Sequence, residues 1–90
     1  MAVSRLEIDN STILDNVDER QVEFEAEVDG DEYQFAVQYD LLEALTGDAP
    51  DDDAVDTFNR YIDPISDAAL SALSRNSDQA LIIVSENDLD

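Results

Sequence analysis

Five aspartates between positions 48 and 56 form the densest group of side chains that could do chemistry. Carboxylate oxygens are the ligands that Ca²⁺ and Mg²⁺ prefer in proteins. The spacing lacks the central glycine and the closing glutamate of a calcium-binding loop, and carboxylates are also favoured where a helix begins. The sequence therefore predicts no specific metal site. The residues that remain candidates for weak binding of divalent cations are Asp48, Asp51, Asp52, Asp53 and Asp56.

A second acidic group consists of glutamates at alternating positions, together with one just beyond the next turn: Glu23, Glu25, Glu27 and Glu32. Alternation places such residues on one face of a sheet. Paired carboxylates can perform acid–base catalysis, but no nucleophile or oxyanion donor accompanies these residues. We predict that they form a solvent-facing surface, and they are our candidates for docking a basic protein partner.

The chain contains no cysteine and no histidine. These absences exclude disulfides, thiolate metal sites and thiol nucleophiles, and they remove the commonest general base. Four arginines without any lysine form no basic patch for nucleic acid, and two glycines are too few for a phosphate-binding glycine motif. We therefore predict a non-enzymatic protein with no cofactor and no direct nucleic-acid binding.

The net charge of −20 on 90 residues has three interpretations. The first is adaptation to high salt, because at about 1 M salt the Debye length is roughly 3 Å and carboxylates barely repel one another. The second is mimicry of nucleic acid toward a basic DNA- or RNA-binding protein, and the third is an acidic protein of an ordinary cell. The missing lysines favour salt adaptation over mimicry, since a mimic has no reason to avoid lysine everywhere.

The first third of the chain predicts a strand, a loop and a hairpin. Leu6 and Ile8 alternate with polar residues, which indicates a short strand over Ser4–Asp9. Asn10–Arg20 is predicted as a loop whose apolar residues, Ile13, Leu14 and Val17, lie under the core. Gln21–Tyr39 then alternates on both sides of Asp29-Gly30, the favoured pair for a type I′ turn. In the two-residue register Val22 lies opposite Val37, and Glu27 lies opposite Glu32.

Two helices are predicted next. Asp40 with Glu43 matches a capping box for a helix that ends at Gly47. A second helix is predicted from Pro50, with an apolar stripe that continues past Pro64. An interior proline removes one backbone hydrogen bond, so we expect a kink or a break at Tyr61–Ile62, and the phase of the stripe favours the kink.

The uncharged run Leu81–Val84 predicts a final strand, covered on both faces or central in the sheet. Residues 86–90 are predicted as a flexible polar tail. The whole is a single α+β domain over residues 1–90: two layers, a mostly antiparallel sheet in the order β-β-β-α-α-β, and helices on one face.

The pattern that these residues form resembles the sequences of a small bacterial family called domain of unknown function 1488. The matching positions are Val22, Phe24, Ala26, Val28-Asp29-Gly30, Tyr33, Phe35, Val37, Leu42 and Leu45, with the Phe58 helix and the strand Leu81–Val84. The family often has Trp-Asp where this chain has Leu14-Asp15, and Pro64 interrupts a helix that is usually continuous. The resemblance implies a strand–hairpin–helix–helix–strand fold and no activity or catalytic residue.

No apolar run approaches the roughly 20 residues that cross a bilayer, and Met1–Glu7 is too short and polar for a signal peptide. We predict a cytoplasmic protein that is adapted to high salt and has a protein-interaction or accessory role. We expect it to be a monomer or a homodimer, to bind an unknown protein partner and not to bind membranes. The alternatives are an acidic decoy for a nucleic-acid-binding protein and a weak divalent-cation binder.

Overall fold

The computed structural model describes residues 6–50, 53–76 and 78–89. Three strands come first, three helices follow, and a fourth strand returns to the sheet before a short 3-10 helix. The elements are β1 (Leu6–Asn16), β2 (Gln21–Val28), β3 (Asp31–Gln38), α1 (Tyr39–Thr46), α2 (Ala54–Arg60), α3 (Ile62–Asn76), β4 (Leu81–Val84) and the 3-10 helix Glu86–Asp88. The predicted α+β class is confirmed, with three helices where two were expected.

The hairpin β2–β3 has the predicted register. Its turn residues Asp29 and Gly30 have φ of 54° and 90°, as a type I′ turn requires at both central positions. Val22 lies opposite Val37, and Glu27 lies opposite Glu32. Alternation and turn length therefore act together to fix which face of both strands meets the core.

Strand β1 is longer than predicted, because it continues from Asp9 to Asn16 instead of ending in a loop. The pairing with β2 is irregular between Asp9 and Leu14, where β1 advances five residues while β2 advances two. The side-chain hydroxyl of Thr12 accepts a hydrogen bond from the backbone N–H of Glu25 at 2.9 Å and so bridges this interruption. The odd number of extra residues reverses the alternation, so Ile8 faces the core whereas Leu14 faces away.

Over the described residues the last strand, β4, pairs with β3 alone and runs parallel to it, which gives the sheet order β1-β2-β3-β4. Ile82 and Val84 are buried, whereas Leu81 and Ile83 are each 38% exposed. The prediction of a central strand or one covered on both faces is therefore wrong. A continuous apolar run does not distinguish a strand buried on both faces from an edge strand with one open face.

Helix α1 begins differently from the prediction and ends as predicted. Gln38 is the N-cap and makes no side-chain capping bond, while Asp40 lies inside the first turn. The predicted capping box of Asp40 and Glu43 is therefore wrong, although an acid in the first turn still suits the helix dipole. Gly47 has φ of 88°, and its N–H donates to the carbonyl of Glu43 at 2.7 Å, which closes the helix.

The second predicted helix is broken at Tyr61 into α2 and α3, and not merely kinked. Pro64 is consequently the third residue of α3. A proline is tolerated in a first turn, since an N–H at that point has no partner within the helix. The break was correctly placed, and it resolves the conflict between the proline and a continuous helix.

All three helices pack on one face of the sheet. Phe24 stacks on Phe35 with ring centroids 5.2 Å apart, and Phe58 from α2 contacts Phe24 at 5.0 Å. Ile65 from α3 is fully buried in the same cluster. After β4, Asp88 is buried and Leu89 packs against the core, whereas Glu86 and Asn87 are exposed. The flexibility expected of residues 86–90 stays a prediction.

Candidate functional site

The face of the sheet opposite the helices, here called the outer face, carries all four of the predicted partner-binding residues. The strand register gathers on it Glu7, Asp9, Leu14, Glu23, Glu25, Glu27, Glu32, Gln34, Ala36, Leu81 and Ile83. The four candidate glutamates therefore share one surface, as the alternation predicted. What the sequence missed is that large apolar side chains stand among them.

One row of residues crosses all four strands. Leu14 lies opposite Glu23, Glu23 opposite Ala36, and Ala36 opposite Ile83. Leu14 is 58% exposed and Ile83 is 38% exposed, whereas the small Ala36 between them is buried. With neighbouring strands about 4.8 Å apart, the row places one carboxylate between two exposed apolar ends roughly 14 Å apart.

Glu23 is held in place by two amides. Asn16 Nδ2 donates to its Oε2 at 2.9 Å, and Gln21 Nε2 donates to the same oxygen at 2.6 Å. These hydrogen bonds, the one from Asn16 first, lower the pKa of the Glu23 carboxyl below its usual value. Within the described part of the chain Oε1 receives no hydrogen bond. The carboxylate is therefore both charged and oriented.

The neighbouring groove shows that these side chains border one space. It measures about 170 Å³ and is lined by Leu14, Glu23, Glu25, Gln34 and Leu81, among others. Apolar and acidic groups thus meet in a single shallow depression on the outer face.

A second row concentrates like charges at the hairpin end of the outer face. Glu7 lies opposite Glu27, and Glu27 lies opposite Glu32. Like charges directly opposite each other are destabilising in a sheet. Three carboxylates in a row across three strands are tolerated best where salt screens them or where a cation lies over them.

The aspartate cluster is only partly described. Asp48, Asp53 and Asp56 are exposed near the start of α2, while Asp51 and Asp52 lie outside the described residues. Over residues 6–50, 53–76 and 78–89, no three acidic side chains are grouped closely enough to hold a metal ion. These candidates therefore stay predictions.

A cleft of about 530 Å³ lies between the β1–β2 turn and α1. It is lined by Glu19, Arg20, Asp40 and Glu43, together with Tyr39, whose hydroxyl donates to the Asp15 carboxylate. One guanidinium among three carboxylates leaves the cleft acidic, so it is unsuited to phosphate or other anions. The residues that line this cleft form no arrangement of nucleophile and general base.

Comparison with known proteins now places the chain. A profile of the family described as "Protein of unknown function (DUF1488)" matches residues 15–84. The chain belongs to the DUF1488 family. The resemblance noted from the hairpin residues is thereby confirmed, and the match begins directly after Leu14.

A solved structure supports the same fold for this DUF1488 protein. It is the crystal structure of a protein of unknown function from the DUF1488 family of Shewanella loihica PV-4. The two chains are 16% identical, the alignment covers 93% of this chain and 96% of that one, and the TM-score is 0.73. A comparison with curated proteins found no match. Among the described residues, no helix is long and apolar enough to cross a membrane.

Proposed function

We propose that this DUF1488 protein is a non-enzymatic protein-binding domain of a salty cytoplasm, and that its outer face is the binding surface. The observation that carries the proposal is where the exposed apolar side chains lie. Of the four large apolar side chains that are exposed among the described residues, Leu14, Leu81 and Ile83 are on the outer face, and Val17 is not. Apolar groups gathered on one face and rimmed by polar residues are typical of an interaction site.

The edge strand supports the same surface. Edge strands are commonly protected by charges, proline or bulges. On β1 the edge carries Glu7, Asp9 and an interruption of the ladder, whereas β4 is the uncharged run Leu81–Val84. The uncharged edge at β4 therefore borders Leu81 and Ile83, whereas the β1 edge carries Glu7 and Asp9 before the interruption and the exposed Leu14 after it.

The salt adaptation in this proposal rests on how charge is distributed. Carboxylates occupy the outer face, the helices and the loops, and the lysines are missing from every element. A decoy for a nucleic-acid-binding protein needs a local acidic patch, so this spread supports adaptation to solvent over mimicry. A saturable micromolar response to Ca²⁺ or Mg²⁺ in calorimetry, at molar K⁺, would instead support the cation-binding alternative.

The binding proposal is tested with two matched variants. Leu14→Ser and Val17→Ser each remove an apolar side chain, 58% and 64% exposed respectively, without changing charge. We expect Leu14→Ser to reduce capture of specific partners from the native cell extract at 2 M KCl, and Val17→Ser to leave capture unchanged. Equal capture by wild type and Leu14→Ser contradicts the proposal, and a captured DNA-binding protein that DNA displaces supports the decoy instead.

Salt adaptation is tested separately, by following thermal unfolding with circular dichroism between about 0.05 M and 3 M KCl. We expect the melting temperature to rise strongly with KCl, because salt screens the carboxylates and strengthens apolar burial. Equal stability at both ends of the range rejects this part of the proposal and leaves the binding surface in place.

A further inference from the structure

The groove on the outer face combines three features that together specify a ligand. The groove has apolar residues at its two ends, Leu14 and Leu81, and acidic residues between them, Glu23 and Glu25. Ile83 lies beside the groove, at the end of the cross-strand row. Between Glu23 and Ile83 the cross-strand row holds the small Ala36, which is fully buried, so no large side chain separates the two. A ligand that fits must therefore carry a cationic group between two apolar groups, with all three along one line.

The dimensions of the row suit a polypeptide. Side chains on one side of an extended segment recur every two residues, roughly 6.7 Å apart, so the first and fifth residues are about 13 Å apart. The ends of the row, Leu14 and Ile83, are roughly 14 Å apart at the usual strand spacing. The third residue of such a segment then lies over Glu23 and Ala36.

Glu23 is already prepared to receive a cation. Its Oε2 is held by Asn16 and Gln21, and its other oxygen receives no hydrogen bond within the described residues. A carboxylate that is fixed before binding loses little side-chain entropy on pairing. An arginine side chain adds a long apolar stem, which can pack beside the exposed Leu14, and a planar guanidinium, which pairs well with carboxylates.

A second copy of this chain does not meet these requirements. Its outer face would bring the same glutamates against Glu23 and Glu25. Salt screens the repulsion between exposed carboxylates, but it does not replace the water that a carboxylate loses when it is buried without a partner. Charge complementarity therefore favours a different polypeptide, one that brings a cation.

We infer that the outer face binds a polypeptide segment in which an arginine or lysine is flanked on both sides by apolar residues, with the cation on Glu23 and the apolar residues on Leu14 and on Leu81 with Ile83. This inference rests on the proposed protein-binding function and adds the chemistry of the partner. It also accounts for the fixed position of Glu23, which a merely solvated face does not require.

The test is selection from a displayed library of random 12-residue peptides on the immobilised protein, at 0.15 M and at 2 M KCl. Glu23→Gln and Glu43→Gln serve as matched proteins, since Glu43 is exposed on α1, away from the outer face. We expect wild type and Glu43→Gln to enrich peptides with a flanked arginine or lysine at both salt concentrations, and Glu23→Gln to lose the cation preference. Circular dichroism confirms that both variants fold.

One enriched peptide is then synthesised with arginine and with citrulline, its neutral counterpart. We expect the arginine form to bind wild type about tenfold more tightly, a ratio that falls to near one in Glu23→Gln, because a charged hydrogen-bonded pair contributes on this scale. No enrichment, enrichment without cations, or an equal loss in Glu43→Gln overturns the inference. If Leu14→Ser still abolishes partner capture, the protein-binding function stands although the inferred partner chemistry fails.

Discussion

Arg75, in the last turn of α3, forms an ion pair with Asp88, the one buried carboxylate in the described part of the chain. Asp88 also completes a capping box with Ser85, whose N–H donates to Asp88 Oδ2 at 3.0 Å. The pair fixes the segment after β4 to the helix before it. One of the four arginines in the sequence is therefore paired with the one acid that is buried among the described residues.

Removing the arginine leaves this buried carboxylate without a cation. We expect Arg75→Ala to lower the free energy of unfolding by about 1 to 3 kcal/mol, measured by urea denaturation. The Asp88 side chain is buried whereas the Arg75 side chain is 59% exposed, so we expect only part of the loss to persist at 3 M KCl. Arg60→Ala, at an exposed arginine that ends α2, is the control and should change stability by less than about 0.5 kcal/mol. Equal effects of the two variants contradict the structural role given to the Asp88 pair.

For the row of Glu7, Glu27 and Glu32 we expect a substitution to raise stability and not to lower it. Glu27→Gln removes the central charge, so we expect it to stabilise the protein by a few tenths to about 1 kcal/mol at 0.05 M KCl. At 3 M KCl the gain in stability should disappear, because salt then screens the repulsion between these carboxylates in the wild type as well. Asp18→Asn, in the exposed β1–β2 turn, reports the benefit of losing any one negative charge. A Glu27→Gln gain no larger than that of Asp18→Asn at low salt would refute a specific repulsion.

The hydrogen bond from Asn16 gives a testable pH dependence. Because Asn16 lowers the pKa of the Glu23 carboxyl, the ionised form stabilises the folded state. This contribution is fully present above the unfolded-state pKa and is lost as pH falls through the lower folded-state value. We expect Asn16→Ala to raise the pKa of Glu23 in a carbon-13 NMR titration, and to reduce stability at pH 7 more than at pH 2. An unchanged titration of Glu23 contradicts the assignment.

The hairpin turn predicts a backbone effect. Gly30 has φ of +90°, where an added side chain is strained even though nothing lies within 4 Å of the position it would occupy. We expect Gly30→Ala to destabilise the protein by about 1 kcal/mol in thermal unfolding, through backbone strain alone. Asp31→Ala, on the exposed far side of the same turn, should have a smaller effect. A tolerated Gly30→Ala would mean that the turn relaxes away from the type I′ geometry.

The sequence predicted best where local rules agree with one another. In the hairpin, the alternation of Val22 to Val28 and the turn at Asp29-Gly30 demand the same register, and the structure has that register. Pro64 likewise marked the break between α2 and α3, because a proline restricts the backbone wherever it stands. In both places the deciding interactions lie within a few residues along the chain.

The apolar part of the outer face was not predictable in this way. Leu14 was expected under the core, and its true position follows from the interruption after Asp9, which reverses the alternation of β1. That interruption is bridged by Thr12 and Glu25, residues far apart in sequence whose contact no local pattern reports. The same holds for Leu81 and Ile83, whose exposure depends on a parallel pairing with β3.

That parallel pairing also has a consequence for the order in which the chain folds during synthesis. Val37 pairs with Val84, so β3 cannot pair with β4 until the three helices between them have been translated. At about 5 to 20 residues per second this delay lasts roughly 2 to 9 s, far longer than a hairpin needs to form. Throughout that interval the ribosome-bound chain presents Phe35, Ala36 and Val37 as an uncharged open edge. Until β4 arrives, this edge of β3 is open to pairing with another strand, in the same chain or in a neighbouring one.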